Sequence, residues 1–166
     1  MAKTISNQSN KSELRQDPVS GDWIIIAPGR GARPHGIKAS LKRKKTPKKD
    51  CPFEDPQAAG NKEPILVYPD LAKWKIQVLE NKYPAVHHRN TCAEPAKLGP
   101  FSTLEANGHH DLVITRSYDR NFPKLKPEEA NQVIQVMRDR YLTLYNDSCL
   151  AYILAMHNWG PRAGAS

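Results

Sequence analysis

The sequence predicts an α+β fold in which a mainly antiparallel sheet packs against one long helix. Short apolar stretches typical of β-strands occur at 23–27, 75–79 and 111–115. Only the stretch that begins at Pro127 repeats its apolar residues every three or four positions, as an amphipathic helix does. Because one helix alone separates strands, serial βαβ winding is not expected and an antiparallel sheet fits better.

Composition predicts one domain preceded by a short tail. The chain has 166 residues, the size of an ordinary domain. We expect the largely polar residues 1–13 to be a disordered tail and 14–166 to form a single domain. No apolar run approaches the roughly 18 residues that cross a bilayer. The N-terminus lacks the apolar core of a secretory signal, so a cytoplasmic protein without membrane contact is expected.

The first half of the chain predicts one buried strand and one half-buried strand. Pro, Ser and Gly within 14–22 predict a turn. The continuous apolarity of Trp23–Ala27 predicts a strand buried on both faces. A long basic loop is expected over 35–63, and the alternation of Lys75–Leu79 predicts a half-buried strand.

The second half predicts a strand, a helix and a final strand. Little periodicity is found over 86–105, whereas Asp111–Thr115 is typical of a strand. Proline and two acidic residues favour a helix start at Pro127. Its predicted core face consists of Ala130, Ile134, Met137, Tyr141 and Leu144. The apolar run Cys149–Met156 predicts a buried strand that opens into a terminal loop.

Two segments have the chemistry of a phosphate site. Arg30 and Arg33 follow the first strand, and guanidinium groups suit bidentate contact with phosphate, although surface charges are an equal alternative. The loop at 157–166 combines glycines, which can expose backbone N–H groups, with the amide of Asn158. A frayed C-terminus is the alternative for that loop.

Other chemistry is incomplete in the sequence. Phosphate-binding loops of the G-x-x-x-x-G-K-[ST] type are absent. Cys51 and Glu54 provide one good zinc ligand and one carboxylate, fewer than the four ligands of a structural site. His109 and His110 are neighbours that would point to opposite faces of a strand, so at most one could join a given site. The formal charge of +8 is concentrated in Lys42–Lys49, which leaves a non-catalytic module for RNA or another polyanion as an alternative.

Five blocks together resemble the N-terminal part of the galactose-1-phosphate uridylyltransferase family, within the histidine-triad superfamily. The blocks are 15–34, Cys51-Pro-Phe53, Asn81-Lys-Tyr-Pro-Ala85, Gly108-His-His-Asp-Leu-Val-Ile114 and Asn158-Trp-Gly-Pro-Arg-Ala-Gly-Ala-Ser166. The resemblance implies a histidine-triad-like fold. It also implies transfer of UMP between UDP-glucose and galactose 1-phosphate in galactose metabolism, through a covalent intermediate on histidine.

The resemblance also implies where substrates bind. Arg30 and Arg33 would lie near the nucleotide phosphates and Asn81 near the uridine. The phosphate-binding loop would be lined by Asn158, Gly164 and Ser166. Relatives in the superfamily use other nucleoside diphosphate sugars, so a related nucleotidyltransferase remains an alternative. Family members form dimers, which leaves a homodimer open.

The sequence departs from the family's pattern at two places. The nucleophilic histidine of a His-x-His-x-Gln motif would follow Ser166, so no catalytic residue is assigned and this chain alone is expected to be inactive. Zinc-bearing relatives have C-x-x-C where this chain has Cys51 and Glu54, and a later histidine would fall at Tyr118 or Asp119. No cofactor is favoured, although a zinc-stabilised domain remains an alternative.

Overall fold

A computed structural model describes residues 11–32, 47–117 and 120–159 of the chain. These residues form two compact units. The first unit contains the described residues of 1–34 together with 83–110. The second contains the described residues of 35–82 and of 111–166. The expectation of a single domain over 14–166 stays a prediction.

The first unit is built on a four-stranded antiparallel sheet. Its strands are β1 (Glu13–Gln16), β2 (Trp23–Ile26), β5 (Ala96–Leu98) and β6 (Phe101–Glu105), in the order β2-β1-β6-β5. Asp17 accepts backbone hydrogen bonds from Val19 and Ser20, which closes the turn between β1 and β2. Those two bonds lower the pKa of Asp17.

The second unit has a three-stranded antiparallel sheet and the helix. Its strands are β3 (Leu66–Tyr68), β4 (Ile76–Glu80) and β7 (Asp111–Thr115), in the order β3-β4-β7, and α1 spans Pro127–Tyr145. The central strand β4 is buried from Ile76 to Leu79. One face of the sheet packs against α1 through a cluster that includes Ile76, Val78, Val133 and Val136. A second cluster contains Trp74, Leu79 and Ile114, with Phe53 packed against it.

The α+β class, the antiparallel sheets and the single long helix confirm the sequence prediction. β7 has the predicted bounds, and α1 begins at the predicted proline. Among the described residues, short 3₁₀ helices lie in the loops at Pro28–Ala32, Lys48–Asp50 and Phe122–Lys124. No helix in the described ranges is both long and apolar enough to cross a membrane.

The structure corrects the predicted burial of the first strand. Ser12 is buried and Glu13 begins β1, while residues 1–10 of the predicted tail lie outside the described residues. Trp23, Ile24 and Ile25 are exposed, although burial on both faces was expected. The physical reason is position, because β2 is an edge strand of four residues with one hydrogen-bonded neighbour.

The structure also corrects the helix face and the last predicted strand. Val133 and Val136 are the buried residues of α1, and Met137 of the predicted face packs against their cluster, whereas Ile134 and Tyr141 of that face are exposed. No strand forms in the described part of the predicted Cys149–Met156 stretch, where Tyr152, Leu154 and Met156 are largely exposed. An apolar run becomes a strand only where a neighbouring strand pairs with its backbone groups.

Candidate functional site

Three of the sequence blocks that carry the family resemblance meet in the first unit. Arg30 lies in the 3₁₀ helix that follows β2, where its backbone N–H donates to Ala27 O at 3.1 Å. Arg30 Nη1 donates a hydrogen bond to the carbonyl of Tyr83 at 2.5 Å. Ala85 N donates to Nδ1 of His110 at 2.8 Å. The Tyr83-Pro84-Ala85 segment is therefore held by side chains from two distant blocks.

The chain after this segment is joined to the end of β6. His87 N donates to Ala106 O at 3.0 Å, and Gly108 N donates to His87 O at 3.2 Å. Asn107 Oδ1 accepts from Arg89 N at 2.9 Å, while Asn107 Nδ2 donates to Thr91 O at 2.7 Å. These bonds fix the backbone on which the histidines of the unit lie.

The first unit contains a cavity rich in imidazole and cationic groups. It has a volume of about 440 Å³ and is lined by Lys11, Ser12, His87, His88, Arg89, Glu105 and Ala106. Arg89 Nε lies 2.7 Å from Glu105 Oε1, which neutralises one cation in the wall. The rings of His88 and His109 are stacked with their centroids 4.2 Å apart. His109 and His110 thus make different contacts, as their alternation predicts.

In the second unit, Asn81 and Asn158 are placed by different segments. Asn81 directly follows β4 and is half-buried. Asn158 is exposed, and its Nδ2 lies 3.8 Å from Met156 Sδ. Arg33, Gly164 and Ser166 lie outside the described residues. The assembly of all six residues into one substrate site stays a prediction.

The segment at Cys51–Glu54, where zinc-bearing relatives have C-x-x-C, is a compact turn. Cys51 N donates to Lys48 O and Glu54 N donates to Cys51 O, each at 3.1 Å. Lys48 Nζ lies 3.1 Å from Glu54 Oε1, the salt bridge that a carboxylate at this position would be expected to form. Cys51 is a free thiol, and Phe53 packs on the core. Tyr118 and Asp119, the positions at which the family's later zinc-binding histidine would fall, lie outside the described residues.

A second cavity, in the second unit, was missed by sequence reasoning. It has a volume of about 230 Å³ and is lined by Lys75, Ile76, Thr115, Arg116, Ser117, Arg120, Leu125, Glu129, Gln132 and Val133. The guanidinium of Arg120 binds both carboxylate oxygens of Glu129, at 2.6 and 2.8 Å, and its Nε donates to Ser117 Oγ at 2.7 Å. The spacing of these residues in sequence gives no signal of this network.

The pKa of Glu129 is lowered to about 2. The largest cause is the hydrogen bonding from Arg120, and the backbone N–H of Lys126, which donates at 2.9 Å, lowers it further. The carboxylate therefore stays ionised through the neutral and mildly acidic range. Its bonds to Arg120 join that residue to the first turn of α1.

A family model and two curated proteins are similar to this chain over nearly its whole length. The family described as galactose-1-phosphate uridyl transferase, N-terminal domain, matches residues 2–166. An ADP-glucose phosphorylase of Arabidopsis thaliana is 29% identical over 98% of this chain and 47% of its own length. A galactose-1-phosphate uridylyltransferase of Thermotoga maritima is 24% identical over 93% of this chain and 43% of its own.

A solved structure is similar in fold as well as in sequence. The crystal structure of an ADP-glucose phosphorylase from Arabidopsis thaliana with bound ADP-glucose has a TM-score of 0.57 and 26% identity, covering 93% of this chain and 45% of that one. The chain spans about half the length of the curated relatives it matches.

Proposed function

The chain belongs to the galactose-1-phosphate uridyl transferase family, as its N-terminal domain, and from this premise we propose that it binds a nucleoside diphosphate sugar for nucleotidyl transfer. The observation that carries the proposal is the match over residues 2–166. The meeting of Arg30, Tyr83 and His110, from three separate blocks, supports it. These contacts hold the three blocks to one another, so they do not act as independent loops.

The proposed chemistry is a double displacement at the α-phosphorus of the sugar nucleotide. A histidine nitrogen attacks that phosphorus, the bond to the bridging oxygen breaks, and the sugar 1-phosphate leaves. An acceptor phosphate then attacks the nucleotidyl-histidine and releases the nitrogen. The nucleophile belongs to the family's His-x-His-x-Gln motif, and no residue of this chain is assigned to that role. Cationic side chains and backbone N–H groups would stabilise the charge that develops on phosphate oxygens.

The proposed contacts of this chain are those on the phosphates and the nucleoside. Arg33, Asn158, Gly164 and Ser166 are assigned to the phosphate side, where the resemblance also implies Arg30. Asn81, at the end of β4, is assigned to the nucleoside. Hexose 1-phosphate is the proposed second substrate, a homodimer the proposed assembly, and the cytoplasm the proposed compartment.

For the nucleobase, we place adenine first and uracil second. The Arabidopsis relative named for ADP-glucose is 29% identical, and the Thermotoga relative named for galactose-1-phosphate uridylyl transfer is 24% identical. The UDP-glucose reaction of galactose metabolism is therefore the second candidate. The two candidates differ in the nucleotide that the chain would bind.

Calorimetric titration of the purified chain with ADP-glucose, UDP-glucose and glucose 1-phosphate tests the proposal. We expect saturable binding of one sugar nucleotide, with ADP-glucose binding more tightly, and much weaker binding of glucose 1-phosphate. Tighter binding of UDP-glucose would select the second candidate. A folded chain that binds neither nucleotide would overturn the proposed function.

Polyanion binding through Lys42–Lys49 is the remaining alternative from the sequence. Residues 42–46 lie outside the described residues, and Lys48 is paired with Glu54. Titration with an arbitrary RNA over a salt series separates this alternative, because phosphate contacts weaken steeply as salt rises. Tight, salt-sensitive RNA binding without competition by sugar nucleotides would support it.

A further inference from the structure

We infer that Arg30 and His110 are positioning residues that hold the Tyr83-Pro84-Ala85 segment in the conformation needed to bind the nucleotide. The inference rests on the proposed function and assigns Arg30 a role through the backbone in place of a direct phosphate contact. The segment directly follows Asn81, the residue assigned to the nucleoside, and Lys82, so its conformation constrains the chain next to Asn81.

The segment has little means of fixing itself. Tyr83, Pro84 and Ala85 belong to no strand or helix, so no ladder of backbone hydrogen bonds orders them. Pro84 has no N–H to donate. The two polar groups that flank it, Tyr83 O and Ala85 N, are bound by Arg30 and His110. These partners lie 53 and 25 residues away in sequence, so the contacts are tertiary rather than local.

The bond to His110 specifies its chemical form. Nδ1 accepts the Ala85 N–H, so this nitrogen carries no proton and the neutral ring carries its hydrogen on Nε2. An asparagine at 110 could place its Oδ1 near the same point and accept the same hydrogen bond. An alanine would leave the Ala85 N–H without this partner.

The bond from Arg30 uses the directional geometry of the guanidinium. Nη1 reaches Tyr83 O while the 3₁₀ helix Pro28–Ala32 fixes the backbone of Arg30. A lysine would retain the positive charge and lose the planar fork. A phosphate contact would tolerate lysine better than a directed bond to a carbonyl would, so the two roles of Arg30 are separable.

The test combines two measurements on the full chain. Backbone amide exchange at Ala85, followed by NMR, reports the hydrogen bond without any ligand. Titration with ADP-glucose and UDP-glucose reports the consequence for binding. The variants are His110→Ala, His110→Asn, Arg30→Met and Arg30→Lys. The matched controls are His109→Ala, which removes the neighbouring imidazole, and Arg15→Met, which removes a guanidinium of the same unit.

We expect His110→Ala to speed Ala85 exchange about tenfold and to weaken nucleotide binding about five- to tenfold, the loss of one hydrogen bond. His110→Asn should restore both. Arg30→Met and Arg30→Lys should weaken binding by about the same factor as His110→Ala, and both controls should bind as the parent does.

Two outcomes overturn the inference. The first is faster Ala85 exchange in His110→Ala with unchanged nucleotide affinity, which would make the contact purely structural. The second is full affinity in Arg30→Lys beside a large loss in Arg30→Met, which would return Arg30 to phosphate contact. If the parent chain binds no sugar nucleotide, the proposed function fails and the positioning role fails with it, whereas the exchange data still report the two contacts.

Discussion

Arg140 and Asp111 form an ion pair in which each side chain is only 12% exposed, with Arg140 Nε 2.8 Å from Asp111 Oδ2. The pair joins α1 to the first residue of β7. In the sheet, Asp111 lies opposite Glu80, and like charges in that position repel. Glu80 is paired with Lys62 at 2.6 Å, so each acidic side chain has its own cation.

Removing Arg140 should destabilise the second unit markedly. Arg140→Met leaves the Asp111 carboxylate largely buried without this cation, and we expect the free energy of unfolding to fall by about 2–3 kcal/mol. Chemical denaturation measures it. Arg138 is the control, because its pair with Asp139 is well exposed and Arg138→Met should cost no more than about 0.5 kcal/mol. Equal losses in the two variants would contradict the prediction.

The lowered pKa of Glu129, about 2, predicts how its contribution depends on pH. A carboxyl whose folded pKa lies below its unfolded value stabilises the fold fully above the unfolded value, near 4.5. That contribution is lost as pH falls from there towards about 2. Glu129→Gln should therefore be less stable than the parent at pH 7, and the difference should shrink progressively below about pH 4.5.

Denaturation of both proteins at a series of pH values measures this difference. Glu128→Gln is the control, because Glu128 is an exposed acidic residue of the same helical turn. Its variant should follow the parent across the range. A stability difference for Glu129→Gln that stays constant down to pH 2 would show that the carboxylate charge is not its source.

Two neighbouring residues of α1 distinguish the observed core face from the predicted one: Val133 lies on the observed face and Ile134 on the predicted face. Val133 is 6% exposed and packs with Ile76 and Val78, whereas Ile134 is 52% exposed. We expect Val133→Ala to lower the free energy of unfolding by about 1–3 kcal/mol, and Ile134→Ala by less than about 1 kcal/mol although it removes more carbon atoms. A larger loss at Ile134, measured by denaturation, would restore the predicted face.

This pair shows why the helix was predictable and its orientation was not. The start at Pro127 follows from local chemistry, namely a proline and two acidic residues at the N-terminus. The face depends on what the helix packs against. Ile134 and Val133 fit the periodic pattern about equally well, and contact with β4 decides between them.

For the strands too, local sequence predicts some features, whereas others depend on tertiary pairing. β4 and β7, which contain most of the sheet's buried residues, have a clear sequence pattern. β1 and β6 are largely half-buried strands that pair with each other from distant parts of the chain, and neither has a clear sequence pattern. The apolar Cys149–Met156 run has the composition of a strand, yet composition does not supply a neighbour to pair with.

For the candidate site, sequence blocks identified residues and left their roles open. Arg30 was predicted from its chemistry, and its bond to Tyr83 O could not be, because that contact spans 53 residues. The alternation of side chains along a strand predicted that only one of His109 and His110 could join a given site, without deciding which. The choice between His109 and His110 required the position of Ala85.

The contacts of the Cys51–Glu54 turn predict that the fold is stable without zinc. Glu54 is paired with Lys48, and the turn is anchored by backbone bonds and by the packing of Phe53. Cys51→Ser should therefore change the free energy of unfolding by less than about 0.5–1 kcal/mol, whereas Phe53→Ala should cost about 2–4 kcal/mol. A chelator should leave the thermal midpoint of the parent unchanged. Stoichiometric zinc in the purified chain, with unfolding on chelation and on Cys51→Ser, would instead establish a metal-stabilised turn.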